Sequence, residues 1–335
     1  MRDSVLVTGA SGFIGTWVLR EALSRGLRPI AFDVQRNIER WRRVIGAEAD
    51  QVTFVAGSLL DRGLLERTAN EQQVSHIVHL AALLTPQCQQ DPFLGCEVNV
   101  LGSVAVFELA RTCAGRIRGI SYASSYAVYG PEADDGPLGL AAGENRPPSF
   151  YGAFKLAVDS IAEQYWRHFG IASVGIRPHV AYGPERTIGL TAGPSQAVRA
   201  AALGDAYTID YTGRVGYDYV EDVARAFVQT ALEAPPGATV VDLPSQLATT
   251  EEFVRVIERV IPSATARIAV RGSAISANIP PRPHFISEIF PEWRATTLEE
   301  GVRATVEFYR NHAGRAAPAA ADPARVSSAL AGPQL

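Results

Sequence analysis

The sequence predicts an α/β fold: a doubly wound parallel sheet of about seven strands with a smaller C-terminal lobe. Three observations carry that expectation. Short apolar runs alternate with helical stretches through the first 180 residues, the pattern of successive βαβ units. The runs are β-branched and apolar without clean alternation, as strands covered on both faces require. A glycine-rich turn, Gly9-Ala10-Ser11-Gly12-Phe13-Ile14-Gly15, joins the first run to the first helical stretch.

Strands are expected at Ser4–Thr8, Arg28–Phe32, Val52–Val55, His76–Leu80, Gly119–Ala123 and Ala172–Arg177, with Thr239–Asp242 as a seventh. Helices are expected at Phe13–Arg25, Asp61–Glu71, Gly95–Ala114 and Tyr151–Phe169. After Arg177 the pattern loosens into Gly, Pro and Thr, with helices at Ser195–Leu203, Thr249–Ile261 and Leu298–Asn311. Thr249 reads as a helix cap followed by acids in the first turn, and Glu221 and Asp222 open another helix. The expected organisation is residues 1–180 for the sheet domain, with 213–245 returning to it. Residues 181–212 and 246–312 form the small lobe, and 313–335 an Ala/Pro/Ser-rich disordered tail.

Bulk properties narrow the function. A chain of 335 residues buries a large core, and 47% hydrophobic with 20% charged residues is an ordinary globular balance. A net charge of −4 gives no electrostatic reason for a nucleic-acid partner. The basic run from Arg36 to Arg43 contains Glu39 and reads as a solvated helix face. Cys88, Cys96 and Cys113 lack metal-ligand spacing, and the six histidines form no HxxxH or HExxH pattern, so no metal site is expected. An odd number of cysteines and a strand at the very start, without a signal peptide, point to a cytoplasmic protein. No apolar run reaches the length of a membrane span, so no membrane partner is expected.

The glycine turn has the context that dinucleotide binding needs: a strand before it, a helix after it, and an acid, Asp33, closing the next strand. Ser11, Phe13 and Ile14 sit where backbone amides and the helix dipole meet a pyrophosphate. A carboxylate at Asp33 accepts the adenosine-ribose hydroxyls and repels a 2′-phosphate, which favours NAD over NADP. Arg36 follows closely and keeps NADP open.

The chain has thirty arginines and one lysine, Lys155. It lies four residues after Tyr151, so on a helix the two share a face. Guanidinium and ammonium differ in shape, hydration and acidity, so a single retained lysine beside a tyrosine points to chemistry. A neighbouring cation favours phenolate and brings a tyrosine toward general acid/base work.

These motifs together resemble the extended short-chain dehydrogenases/reductases, of the NAD-dependent epimerase/dehydratase group. The resemblance rests on Gly9/Gly12/Gly15, His79-Leu80-Ala81-Ala82, Asn99 with Gly102, and Ser124-Ser125 before Val128-Tyr129-Gly130. It also rests on Tyr151 with Lys155, and on Arg177-Pro178 before Tyr182-Gly183-Pro184. It covers the chain to about residue 230 and implies a Rossmann domain with a small substrate lobe. It further implies that Leu80, Ala81 and Ala82 pass beneath the cofactor with Asn99 nearby, and that Ser58, Leu59, Ser124, Pro178 and Val180 border it. Ser58 stands where the group often has an acid. Ser125 matches the hydroxyl that orients the reacting oxygen, and Tyr151 and Lys155 complete the catalytic set. Lys155 also matches the residue that bonds the nicotinamide ribose. A homodimer through the helices at Gly95–Ala114 and Tyr151–Phe169 is implied as well.

Two polar signatures of the group's nucleotide-sugar enzymes are missing. Val180 stands for an asparagine, and Val215-Gly216 for an Arg-Asp pair before Tyr217. Arg214 and Arg186 are the nearby cations. These losses favour an NAD-dependent oxidoreductase that interconverts a secondary alcohol and a ketone on a small polyol, sugar, sugar acid or hydroxy acid. The alternative is a UDP-sugar 4-epimerase that retains its NAD; a non-catalytic NAD(H) sensor is a minor third. Thr85, Thr191 and Ser195, with Ser125 and Tyr151, are the expected substrate-lining residues. Tyr126, Tyr129, Tyr182 and His79 read as packing.

Overall fold

Seven parallel strands form the central sheet of this computed structural model, which describes residues 3–113, 115–130, 146–233, 235–275 and 283–312. In chain order they are β1 (Ser4–Thr8), β2 (Arg28–Asp33), β3 (Thr53–Ala56), β4 (His76–His79), β5 (Gly119–Ala123) and β6 (Ser173–Arg177). Between β6 and the last sheet strand the chain makes β7 (Val180–Tyr182), β8 (Tyr207–Thr212) and β9 (Arg214–Tyr219); β10 (Ala238–Asp242) then completes the sheet. The spatial order is β10-β6-β5-β4-β1-β2-β3. The order reverses between β1 and β4, and a doubly wound sheet opens its ligand crevice at that point, beyond the strand C-termini.

The inner strands form because their side chains have no wet face. All five residues of β1 and all four of β4 are buried. The helices α1 (Phe13–Ser24), α2 (Ile38–Ile45), α3 (Arg62–Glu71), α4 (Thr85–Gln90), α5 (Pro92–Cys96), α6 (Gly102–Thr112), α7 (Phe150–Phe169), α8 (Gly193–Leu203) and α9 (Val220–Glu233) follow. Helix α1 buries Trp17, Val18 and Leu19, the aliphatic pair contributing about 1.5–3 kcal/mol each. Asp61 caps α3 by accepting from the Leu64 amide at 2.9 Å. Helix α7 starts at Ser149, which accepts from the Gly152 amide at 3.1 Å, and stops at left-handed Gly170 (φ 66°).

Strand β9 pairs with β7 and with β11 (Gln246–Thr249) in a separate three-stranded sheet; β8 pairs with β12 (Ile268–Ala274). Helices α10 (Thr250–Val260) and α11 (Leu298–Asn311) open with reciprocal Thr/Glu caps, at Thr249 with Glu252 and Thr297 with Glu300. The expected tail, 313–335, lies outside the described residues, as does Ala114.

One expectation is corrected here. The run from Arg36 to Arg43 is not simply a solvated face. Arg42 is solvated, but Arg43 is buried and forks onto Glu185 with two bonds of 2.8 Å. The residues from Pro92 to Thr112, joined by a π-helical stretch at Glu97–Leu101, make a helical segment of 21 residues whose most apolar 18-residue window has mean hydropathy 1.5. By length and composition alone it is long and apolar enough to cross a membrane, but half of that window is buried, against α3 and α7, as a core helix is.

Candidate active site

The turn after β1 is built for close approach. Gly9 has φ 70°, and a Cβ there would sit 2.7 Å from the Ala81 amide nitrogen. A Cβ on Gly15 would sit 2.2 Å from the Gly9 carbonyl oxygen. Neither gap admits another residue, so strand, turn and helix interlock. Gly12 precedes α1 and no side chain caps its amides, which leaves the first-turn N–H groups of Phe13, Ile14 and Gly15 available to an anion. Asp33 ends β2 with one carboxylate oxygen accepting from the Ser11 amide at 2.9 Å and the other from Val34 at 2.7 Å. Burial raises its pKa, and those backbone donors oppose the rise. Arg36 stacks 5.3 Å over Trp41, while Arg40 donates to the Ser11 carbonyl at 2.7 Å. Turn, helix end and acid therefore fit a dinucleotide.

Leu80, Ala81 and Ala82 leave β4 half-buried. Asn99 fixes this loop, accepting from the Leu83 amide at 2.7 Å and donating to its carbonyl at 2.9 Å. Its side chain is thus committed to the protein. Leu59 is buried in the sheet's core, and the Ser58 hydroxyl accepts from the Leu60 amide at 3.2 Å.

Tyr151 and Lys155 occupy successive turns of α7. The Lys155 ammonium, 6% exposed, lies 5.6 Å from the Tyr151 ring centroid and donates to the Ala123 carbonyl at 2.6 Å. Burial lowers its pKa to about 8, with Asp159 and Cys88 holding it up. Ser125 caps the short turn at Tyr126–Val128 through the Ala127 amide and reaches the Tyr151 phenol. Burial raises that phenol to about 12, and Ser125 pulls it back. The expected depression of the tyrosine by its lysine is therefore not present in the protein by itself: the cation faces a carbonyl, and desolvation of the phenol dominates.

Asp159, the next turn of α7, accepts from Arg177 at 2.7 Å and from Ser124 at 2.9 Å. The Ser124 hydroxyl is thus committed as a buried hydrogen-bond donor to the Asp159–Arg177 ion pair. His79 lies between Thr8 at 2.7 Å and Ser103 at 2.9 Å, its pKa driven to about 3 by burial, so it is a packing residue. Tyr129 is tied to Asp242 and Arg177, and Tyr182 is buried among rings.

The substrate side departs further from expectation. Ser195 is 1% exposed and accepts from the Gly183 amide at 3.2 Å, so it braces the turn after β7 and presents nothing to a ligand. Thr191 accepts from Arg186 at 2.7 Å. Thr85 stands half-buried at the start of α4. Pro178 and Val180 are buried, and a Cβ on Gly216 would lie 3.1 Å from the His179 ring, so neither 180 nor 216 offers a polar group. Sequence reasoning named Arg186 only in passing. Its signal was present: an arginine two residues after Tyr182-Gly183-Pro184.

Comparison with known proteins agrees with this geometry. The model of the NAD dependent epimerase/dehydratase family matches residues 5–241. UDP-glucuronate 4-epimerase 6 of Arabidopsis thaliana is 33% identical over 187 residues, 54% of this chain and 40% of that protein. The chain's matches span 40–43% of the first curated relatives' length. UDP-glucose 4-epimerase of Mycolicibacterium smegmatis is 28% identical over 91% of this chain and 98% of its own. Among solved structures, the UDP-glucose 4-epimerase of Thermus thermophilus in complex with NAD superposes with TM-score 0.73 at 25% identity, over 92% of this chain and 99% of that one.

Proposed function

The chain belongs to the NAD-dependent epimerase/dehydratase family, as an enzyme of the extended short-chain dehydrogenase/reductase type, and we propose that it is a 4-epimerase of a nucleotide sugar. The observation that carries this reading is the buried Tyr151–Lys155–Ser125 group beside a dinucleotide cradle, together with near full-length similarity to a UDP-glucose 4-epimerase. It replaces the small-substrate dehydrogenase as the leading reading. That second reading keeps one support: Val180 and Gly216 stand where the group's polar residues would be.

Gly9, Ser11, Gly12, Phe13, Ile14, Gly15 and Asp33 hold the dinucleotide. Leu80 to Ala82 lie along it, and Lys155 reaches its ribose. Asp33 is clamped by two amides and cannot swing away from a 2′-phosphate, which favours NAD over NADP. Bound NAD supplies a hydride acceptor and a positively charged ring. Tyr151 takes the proton from the sugar hydroxyl and returns it, Ser125 orients that oxygen, and Lys155 holds its charge over the phenol ring. The substrate lies between the sheet domain and the lobe of residues 181–212 and 246–312. Exposed Phe93, Leu101 and Phe150 on the segment Pro92–Thr112 and on α7 support a homodimer, and free thiols support a reducing cytoplasm.

The test is incubation with UDP-glucose and with UDP-glucuronate, followed by chromatography of the sugars. Formation of the C4 epimer without net NADH is expected. Stoichiometric NADH without an epimer would establish the dehydrogenase reading instead.

A further inference from the structure

Lys155 is buried and, among the described residues, its ammonium bonds only to a neutral carbonyl, that of Ala123. A buried ammonium without a counter-charge is costly and tends to lose its proton. The counter-charge stands one turn on. Asp159 follows Lys155 by four residues on α7, which sets the two Cβ atoms about 5–6 Å apart on one face. Both side chains dock on the end of β5, at consecutive residues. Lys155 takes the Ala123 carbonyl, and Asp159 takes the Ser124 hydroxyl at 2.9 Å. Asp159 is buried, and its Oδ1 has no hydrogen-bond donor.

Asp159 is itself held from the neighbouring strands. Arg177 at the end of β6 donates to its Oδ2 at 2.7 Å and also to the Tyr129 hydroxyl, which donates to Asp242 on β10 at 3.1 Å. Charge therefore alternates inward from the sheet edge: Asp242, Arg177, Asp159, Lys155. Burial pushes the Asp159 carboxyl up, and Arg177, Ser124 and Tyr122 pull it back. The dependence is one-sided. Arg177 is the main counter-charge of Asp159, while Asp159 is the main counter-charge of Lys155. The other titratable groups facing the ammonium are Tyr151 on α7, Cys88 on α4 and His79 on β4. Burial keeps all three uncharged at neutral pH.

We propose that Asp159 is a positioning residue of the proton relay: the fixed anion one turn beyond Lys155, docked on the same end of β5, keeps the ammonium charged and seated beside the Tyr151 ring. This rests on the Tyr151/Lys155 relay of the nucleotide-sugar reading and deepens it. When the dinucleotide is bound, its positive ring pushes in the same direction as burial, toward a neutral amine. The anion on the next turn opposes both.

The chain's single lysine makes the test direct. With isotope-labelled lysine, one side-chain NMR signal reports the titration of Lys155, with or without NAD. Asp159→Asn moves that titration down by about one pH unit or more, and Asp159→Glu restores part of it. For UDP-glucose or UDP-glucuronate, kcat of Asp159→Asn falls about 10-fold or more, most steeply toward alkaline pH, where the ammonium is lost first. KM stays near wild type. If Asp159→Asn does not fold, the double variant Asp159→Asn/Arg177→Met removes the ion pair as a pair and leaves no buried guanidinium alone. It shows the same downward movement, because Arg177 is not among the groups that bear on the ammonium. A lysine titration indifferent to the loss of Asp159 overturns the proposal, and conversion of either sugar by the wild type then leaves the epimerase reading standing. A titration that follows Asp159 in a protein that converts neither sugar upholds the proposal and removes the epimerase reading.

Discussion

Lys155 gives its ammonium to the carbonyl of Ala123 at 2.6 Å, joining α7 to the end of β5 one turn beyond Tyr151. A point charge fits that carbonyl and the space beneath the phenol; a planar fork does not. Lys155→Arg is expected to lose about 100-fold or more of kcat. Circular dichroism and NAD binding should stay near wild type. Unchanged turnover would remove the lysine from the proton relay.

The same burial makes stability depend on pH. Lys155 titrates near 8 in the fold against 10.5 ordinarily. Between those values the unfolded chain keeps a proton that the folded chain has released, so stability rises with pH across the window. Below pH 8 the full cost, about 3 kcal/mol, opposes folding. Urea unfolding of wild type and Lys155→Met at pH 7 and 9.5 should show the wild type gaining on the variant at the higher pH.

Gly15→Ala places a methyl 2.2 Å from the Gly9 carbonyl oxygen. The turn has to open, moving the α1 amides off the proposed pyrophosphate position. NAD affinity, followed by tryptophan fluorescence, should fall about 100-fold, with a lower melting temperature.

Glu185→Gln removes the carboxylate shared by Arg43 at 2.8 Å and Arg40 at 3.7 Å. Two guanidinium groups then lie at the protein's interior without their counter-charge, a loss of about 3 kcal/mol. Denaturant titration reads it directly, and a change below 1 kcal/mol (roughly the size of a surface pair) would show the network to be solvated.

What could be read from the sequence was what neighbours in sequence determine. The seven sheet strands, the glycine turn with Asp33 and the Tyr151/Lys155 spacing each depend on a short local pattern. Groups whose partners lie far along the chain were misread. Arg43 looked solvated because Glu185, 142 residues away, is invisible to a local reading. Ser195 looked like a ligand contact in a polar stretch, but folding buries it behind Gly183. The bond from the Ser124 hydroxyl to Asp159, 35 residues on, was equally invisible. The sheet of β7, β9 and β11 was missed because its strands are three to six residues long and pair across the lobe.

Tyr151, Lys155 and Asp159 are mounted on α7 at intervals of four. Each residue of an α-helix advances the face by about 100°. Deleting or inserting one amino acid between Ser149 and Asp159 would therefore rotate members of the set out of alignment in a single event. Extra length past Gly170 would leave them aligned. Natural length variation should accordingly collect after that glycine, and the stretch before it should behave as one inherited block.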